Sequence, residues 1–268
     1  MQRFEDRTII VTGAGSGIGA ATAKRFLEEG ASVVLNGRRR NKLEETASGF
    51  DTARLLILDG DVSDEKYLQT MVDATVTKFG GIDVLVNNAG ISIFGPVLGS
   101  SVEDWHKVMR VNVDGVFLAI RAALPHLLNS KGSIVNVSSV SGLGGDWYNS
   151  FYNAAKGAVS NLTRALALEL GMQGVRVNAV NPSLTFTDMT KFLEQSPVLM
   201  ERFLERIPLG RGARPEEVAS VIAFLASEDA AFVNGVNLPV DGGVNASNGQ
   251  PSPPAAFGFG NAMTSVAN

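Results

Sequence analysis

Short apolar runs without polar alternation recur along this chain, with a helical stretch after each: TIIVT, SVVLNG, RLLILDGDV, IDVLVNNAG, SIVNV and VRVNAV. A strand wetted on one face alternates apolar and polar residues, whereas a run that is apolar throughout needs cover on both faces. Strand and helix alternating six times over predicts right-handed crossovers, hence an α/β fold with a doubly wound parallel sheet and helices on both faces.

With 268 residues, 45% of them hydrophobic, the chain can bury one large core, and the reading is a single catalytic domain over residues 1–247. A net charge of -4 offers no basic footprint for nucleic acid or an anionic membrane. The absence of cysteine excludes disulfides, thiolate metal sites and cysteine nucleophiles. His106 and His126 form no paired ligand motif, so no catalytic metal is expected. The N-terminus enters a strand directly, and no stretch of about 18 uninterrupted apolar residues occurs. No membrane association and a cytoplasmic location are the expectations.

Glycines close the first run. Gly13, Gly17 and Gly19 precede and open an alanine-rich helical stretch. Strand, glycine turn and helix N-terminus together make a place where backbone N–H groups meet a pyrophosphate. A tight turn with no ligand is the competing reading, because this spacing differs from the common G-x-G-x-x-G. After the second run, an acid that would hold the 2′-hydroxyl of NAD is missing, and Arg38, Arg39 and Arg40 stand there instead. An arginine at this edge pairs with a 2′-phosphate, so NADP(H) is expected over NAD(H). Three arginines opening a solvated helix would look the same. Asp61, at the exit of the third run, is a candidate for adenine, with helix capping as its alternative. Asn87, Asn88 and Gly90 suit a floor under a flat ring, or simply a turn. Asn112, inside an apolar helical stretch from Ser101 to Asn129, must satisfy a buried amide and is expected to hold a kink or a water near the site.

The chemistry concentrates in SSVSGLGGDWYNSFYNAAK, residues 138–156. Tyr152 and Lys156 are four apart, which on a helix is one face. A phenol titrates near 10 and is a poor acid or base at neutral pH, but a cation beside it stabilises the phenolate. Ser139, leaving the strand SIVNV, is placed to hydrogen-bond a reacting oxygen. A Tyr and a Lys on a solvated helix face is the bland alternative.

Residues 183–210 are amphipathic and follow a strand end, as a lid over the reactive end would. Packing on the core or on another subunit would give the same apolar stripe. Phe94, Leu143, Trp147, Phe186 and Met189 are the substrate-lining candidates, with Phe192 and Met200 beside them. Residues 248–268 are a Pro/Gly/Ala-rich tail, expected to be irregular, with Phe257 and Phe259 as candidates for docking on a neighbouring subunit.

In order, TGAGSGIG, NNAG, Asn112, Ser139, Tyr152-x-x-x-Lys156 and Asn181-Pro182 resemble the short-chain dehydrogenase/reductase family, from about Phe4 to Gly243. The resemblance implies a single Rossmann-type domain that binds NAD(H) or NADP(H) and assembles as a homotetramer or homodimer. It implies Tyr152 as general acid/base, Lys156 lowering its pKa and bonding the nicotinamide ribose, Ser139 positioning the carbonyl oxygen, and Asn112 supporting a water-linked proton relay. It puts Gly13, Ser16, Gly17, Ile18 and Gly19 at the pyrophosphate, Arg38 at the 2′-phosphate, and Asp61, Val62, Asn88, Ala89 and Gly90 at adenosine and neighbouring groups. Pro182, Thr185 and Thr187 fall at the cofactor amide. Two departures stand out: Ser183 replaces the usual glycine after Pro182, and Thr185 replaces a common aliphatic residue. The expected activity is NADP(H)-dependent interconversion of a small-molecule carbonyl compound and a secondary alcohol by hydride transfer. An NAD(H)-dependent alcohol dehydrogenase of the same fold and a non-catalytic dinucleotide-binding regulator are the alternatives.

Overall fold

A computed structural model describes residues 2–250, so most of the Pro/Gly/Ala-rich tail, Phe257 and Phe259 included, lies outside the described residues. The strands are β1 (Thr8–Val11), β2 (Ser32–Gly37), β3 (Leu55–Asp59), β4 (Val84–Asn87), β5 (Ser133–Val137), β6 (Arg176–Pro182) and β7 (Asn237–Val240). They form one parallel sheet in the order β3-β2-β1-β4-β5-β6-β7. The helices are α1 (Gly17–Glu28), α2 (Arg40–Ala47), α3 (Glu65–Phe79), α4 (Val102–Met109), α5 (Gly115–Ser130), α6 (Ser150–Gly171), α7 (Pro197–Glu205) and α8 (Pro215–Ala226).

The unbroken apolar strands are explained by their two faces. Ile9 and Val11 of β1 pack with Val33, Leu35, Val84 and Val86 into a core shared with α1, α2 and α8. Ile10, Val34, Leu85 and Ile134 point the other way, into a core shared with α3, α5 and α6. Ile9, Ile10 and Val11 are therefore out of water whichever face they occupy, and a polar residue at any of these three would lack a partner.

One element differs from the sequence reading and one follows it. The third strand ends at Asp59, which leaves Asp61 in the loop beyond it. The helical stretch from Ser101 is interrupted by a π-helical turn, Arg110–Asp114, between α4 and α5. The cause is Asn112: its Nδ2 donates to the Val108 carbonyl (2.9 Å), competing with the regular backbone ladder. Taken as one run, Val102–Ser130 has the length and mean hydropathy (1.3) to cross a bilayer. Here α5 contributes its buried face, from Val116 to Leu127, to the core beside α3 and α6.

The chain turns outward from β1 to β3 and returns at β4, so β1 and β4 are neighbours across the point where the winding reverses. In open parallel sheets the crevice beyond the strand ends at that point is where ligands sit.

Candidate active site

Two loops meet at this crevice, the glycine turn after β1 and the Asn87-Asn88-Ala89-Gly90 turn after β4. Thr12 joins them: its Oγ1 accepts from the N–H of Asn88 (3.0 Å) and of Ala89 (3.1 Å). Asn88 closes the joint, its Nδ2 donating to the carbonyls of Thr12 (2.9 Å) and Gly13 (3.2 Å). The side chain expected against adenosine is thus a clamp between two loops. Glycine is required at this joint. A Cβ on Gly19 would lie 2.2 Å from the Gly13 carbonyl and 2.4 Å from Asn88 Nδ2. Gly13 and Gly17 adopt φ of 67° and 53°, where side chains are rare. Gly19→Ala is expected to cost about 1–3 kcal/mol of folding stability and to weaken nucleotide binding with it. Urea unfolding and a nucleotide fluorescence titration check this, and wild-type values in both would mean that the turn can give way.

The helix start beyond the turn fits an anion. Ser16 caps α1 without a side-chain hydrogen bond and no acid occupies the first turn, so the first N–H groups and the helix dipole face the cleft. Ser16, Gly17 and Ile18 line that cleft, while Gly19 lies beneath it.

At the far end of the crevice, Ser139 leaves β5 in an extended conformation and α6 brings in Tyr152 and Lys156. The two lie on one helix face, with Lys156 Nζ 5.5 Å from the centre of the Tyr152 ring. All three line one continuous cleft of about 1330 Å³ that runs back to the glycine turn. Asn112 is not among its walls. Its amide is fully buried behind the Gly90 turn, donating to the Ile91 carbonyl (2.9 Å) and accepting from the Ile91 N–H (3.3 Å). It fixes the loop facing Lys156 and uses the π-turn to do so.

The electrostatics correct one expectation. Burial pushes the Tyr152 phenol up to about 12, with the Ser139 hydroxyl pulling the other way and the charge of Asp146 adding to the rise. Burial likewise pushes Lys156 down to about 8. Burial outweighs the lowering expected from lysine, and Lys156 Nζ donates to the Val137 carbonyl at 2.7 Å.

These values set a stability profile. Between about 8 and 10.5 the unfolded chain keeps the Lys156 proton that the native state has released, so native stability rises with pH. Above 10, Tyr152 and Tyr67 retain protons in the native state that the unfolded chain loses, and stability falls. The difference between wild type and Lys156→Met in urea unfolding should therefore climb across pH 8–10. A flat difference would exclude a buried, depressed lysine.

The comparisons with known proteins agree with this layout. A family profile described as enoyl-(acyl carrier protein) reductase matches residues 13–245. The meso-2,3-butanediol dehydrogenase of Serratia marcescens is 51% identical over 249 residues, 93% of this chain and 98% of that one. The chain belongs to the short-chain dehydrogenase/reductase family. Among solved structures, a glucose/ribitol dehydrogenase from Brucella melitensis matches with a TM-score of 0.86 and 39% identity, covering 90% of this chain and 98% of that one. A short-chain dehydrogenase/reductase from Caenorhabditis elegans, solved with cofactor, matches with a TM-score of 0.85 and 34% identity, covering 92% and 98%. The fold class is the one expected, a single α/β domain, and the chain is an oxidoreductase of a family that binds a nicotinamide dinucleotide.

Within this short-chain dehydrogenase/reductase, Arg38, Asp61, Val62, Ala89, Gly90, Pro182, Thr185 and Thr187 all line the cleft. The capping alternative weighed for Asp61 falls to Asp64, which accepts from the N–H groups of Lys66 and Tyr67, while Asp61 Oδ1 accepts from the N–H (2.9 Å) and hydroxyl (2.8 Å) of Ser63 and the residue lines the crevice. Chiefly that backbone bond holds its carboxyl below the usual range. The unusual Ser183 donates its hydroxyl to the Asp241 carbonyl (3.0 Å), tying the exit of β6 to that of β7. Thr185 Oγ1 donates to the Ser183 carbonyl (3.1 Å), which leaves its methyl for the cleft wall.

At the substrate end Phe94, Trp147, Met189 and Phe192 line the cleft as expected, and Phe94 meets Phe192 edge to face at 5.7 Å. Leu143, Phe186 and Met200 are not among its walls. Leu143 follows the 3₁₀ turn that carries Ser139 and Ser141, one step away from the opening. Phe186 packs over Gly212 and borders a separate hollow with Gly17. Met200 packs into the lid's own interior. The wall includes residues that sequence reasoning missed: Asn36, Ser92, Ser141, Asp146 and Asn149. Ser141 and Asp146 stand inside the stretch already singled out, but nothing in their spacing marks them, because a loop rather than a helix brings them together.

Proposed function

We propose that this chain is an NADP(H)-dependent oxidoreductase that interconverts a carbonyl compound and a secondary alcohol, with Tyr152 as general acid/base. The supporting observation is the convergence of Ser139, Tyr152 and Lys156 on a cleft continuous with an open helix N-terminus. The relatives named as dehydrogenases of butanediol and of glucose or ribitol support a CH–OH substrate.

The residues present fit a dinucleotide. The glycine turn with Ser16 and Ile18 would hold the pyrophosphate, Arg38 a 2′-phosphate, and Lys156 the nicotinamide ribose. When bound, the nicotinamide supplies or accepts the hydride. In reduction Tyr152 donates its Oη proton to the carbonyl oxygen, which Ser139 Oγ holds in place. A phenol raised to about 12 is fully protonated at neutral pH, ready for that direction. In oxidation it must first lose its proton, and the Lys156 ammonium, largely charged below about 8, favours the loss when it moves off Val137 toward the phenol oxygen.

The apolar walls at Phe94, Trp147 and Met189 suit a substrate with a hydrophobic group. Leu168 and Met172 at the end of α6 and Phe117 on α5 are exposed, which supports assembly as a homodimer or homotetramer; a cytoplasmic location accords with that reading. The test is the absorbance of reduced nicotinamide, with both nucleotides, against a panel of secondary alcohols and ketones. Saturable NADP(H) binding with no turnover of any of them would favour the non-catalytic regulator.

A further inference from the structure

The carboxylate of Asp146 sits at the substrate end of the cleft and has no part in the chemistry assigned above. It is nonetheless held firmly. Its backbone N–H donates to Asn153 Oδ1 at 2.9 Å, and Asn153 Nδ2 donates to its carbonyl at 3.4 Å. Asn153 follows Tyr152 on α6, so the backbone of Asp146 is fixed to the same helical turn as the acid/base. On the other side Ser141 Oγ donates to Asp146 Oδ2, and Ser139 Oγ donates to Ser141 Oγ at 3.0 Å.

The direction of this chain follows from proton counting. A carboxylate only accepts and a serine has one proton, so Ser141 must give its proton to Asp146; its Oγ accepts from Ser139 until a substrate oxygen takes that proton instead. Oδ2 is thereby occupied. Among the described residues nothing donates to Oδ1. A cleft-lining carboxylate therefore keeps one acceptor oxygen open, two hydrogen bonds from the hydroxyl that holds the reacting oxygen.

We propose that Asp146 is a specificity-determining residue that accepts a hydrogen bond from a second hydroxyl on the carbon next to the reacting carbinol, so that the preferred substrates are vicinal diols and the matching α-hydroxy ketones. The inference rests on the oxidoreductase reading above. In oxidation, the carbinol C–H would give up its hydride to the bound oxidised nucleotide while the O–H proton would pass to the Tyr152 phenolate. One C–H and one O–H bond break, the C=O bond forms, and the second hydroxyl stays intact on Asp146. An ammonium would also satisfy a carboxylate, but the apolar side chains that share the cleft, Phe94, Met189 and Phe192 among them, favour a neutral hydroxyl over a cation.

The magnitude is modest. A fully enclosed polar site rejects an analogue lacking its hydroxyl by about 10⁴-fold or more. Asp146 is exposed at the cleft mouth, where water replaces a missing partner, and a discrimination of about tenfold to a hundredfold is expected.

The experiment measures kcat/KM for a vicinal diol, the matched mono-alcohol and the matched vicinal amino alcohol, in wild type, Asp146→Ala and Asp146→Asn. Wild type should favour the diol over both others. In Asp146→Ala the diol-to-mono-alcohol ratio should fall by about tenfold or more, whatever loss both substrates share through Ser141 and Ser139, and Asp146→Asn should recover part of it. Equal losses on both alcohols, with the ratio kept, would make Asp146 merely structural and overturn the proposal. A wild-type preference for the amino alcohol would overturn it in favour of cation recognition. If wild type oxidises no alcohol at all, the oxidoreductase reading itself has failed. Reduced-nucleotide binding, followed by fluorescence in each variant, reports an intact fold.

Discussion

Tyr152→Phe turns over alcohol or ketone at about one-thousandth of the wild-type kcat or less, while its affinity for reduced nucleotide stays within about threefold. The substitution removes one oxygen from a side chain that keeps its packing, so the loss reports the proton alone. Positioned acid/base groups contribute about 10²–10⁴-fold, and the upper part of that range applies here. Among the described residues, the other groups lining the reactive end give no ready replacement. Ser139 spends its one proton on holding the reacting oxygen, and the Lys156 amine is on a backbone carbonyl. Activity near the wild-type level in this variant would remove Tyr152 from the mechanism. Nucleotide binding lost along with activity would instead mean that the phenol is part of the cofactor site.

Arg38→Ala weakens NADPH binding by about tenfold to a hundredfold and leaves NADH binding nearly unchanged. The basis is the division of labour among three consecutive arginines. Arg40 is paired with Glu44 (3.0 Å) and Asp59 (2.9 Å). Arg39 reaches Asp188 (3.6 Å) and the Ser16 hydroxyl (3.4 Å). Arg38 makes no ion pair among the described residues and lines the crevice beyond β2. A charge-assisted hydrogen bond to a phosphate contributes about 1.5–3 kcal/mol, which converts to the stated range. Titration of both nucleotides against wild type and variant decides the matter. Parallel losses for the two, or no loss for either, would end the 2′-phosphate assignment and leave NAD(H) as the better reading.

How far the sequence could be read depended on whether a feature was periodic. The strands were legible because β1, β2 and β4 are covered on both faces, which leaves apolar runs without gaps. Tyr152 and Lys156 were legible because a helix converts a spacing of four into a shared face, and the structure keeps them together. The Asn112 kink was legible for a related reason: an amide in an apolar helix has to take hydrogen bonds from somewhere, and it takes one from the backbone of its own turn. Loop geometry was not. The role of Asn88 depends on where two glycine-rich turns cross, and the pairing of Ser141 with Asp146 depends on a loop whose Tyr148 adopts a φ of 56°. How firmly Tyr152 holds its proton was not legible either, because spacing shows that a lysine is near but not how far the phenol is shielded from water.

The candidate lid, residues 183–210, gathers Leu184, Leu193 and Ile207 with Met200 and Leu204 into an apolar cluster completed by Val244 beyond β7. A strap of loose chain would have to give up about 1–2 kcal/mol of freedom per residue each time it settled over a guest. A flap that is already folded surrenders almost none of it. Traffic through the mouth of this enzyme is therefore expected to be governed by the swing of one small body, and by how readily Phe192 parts from Phe94, more than by any gradual ordering of the segment.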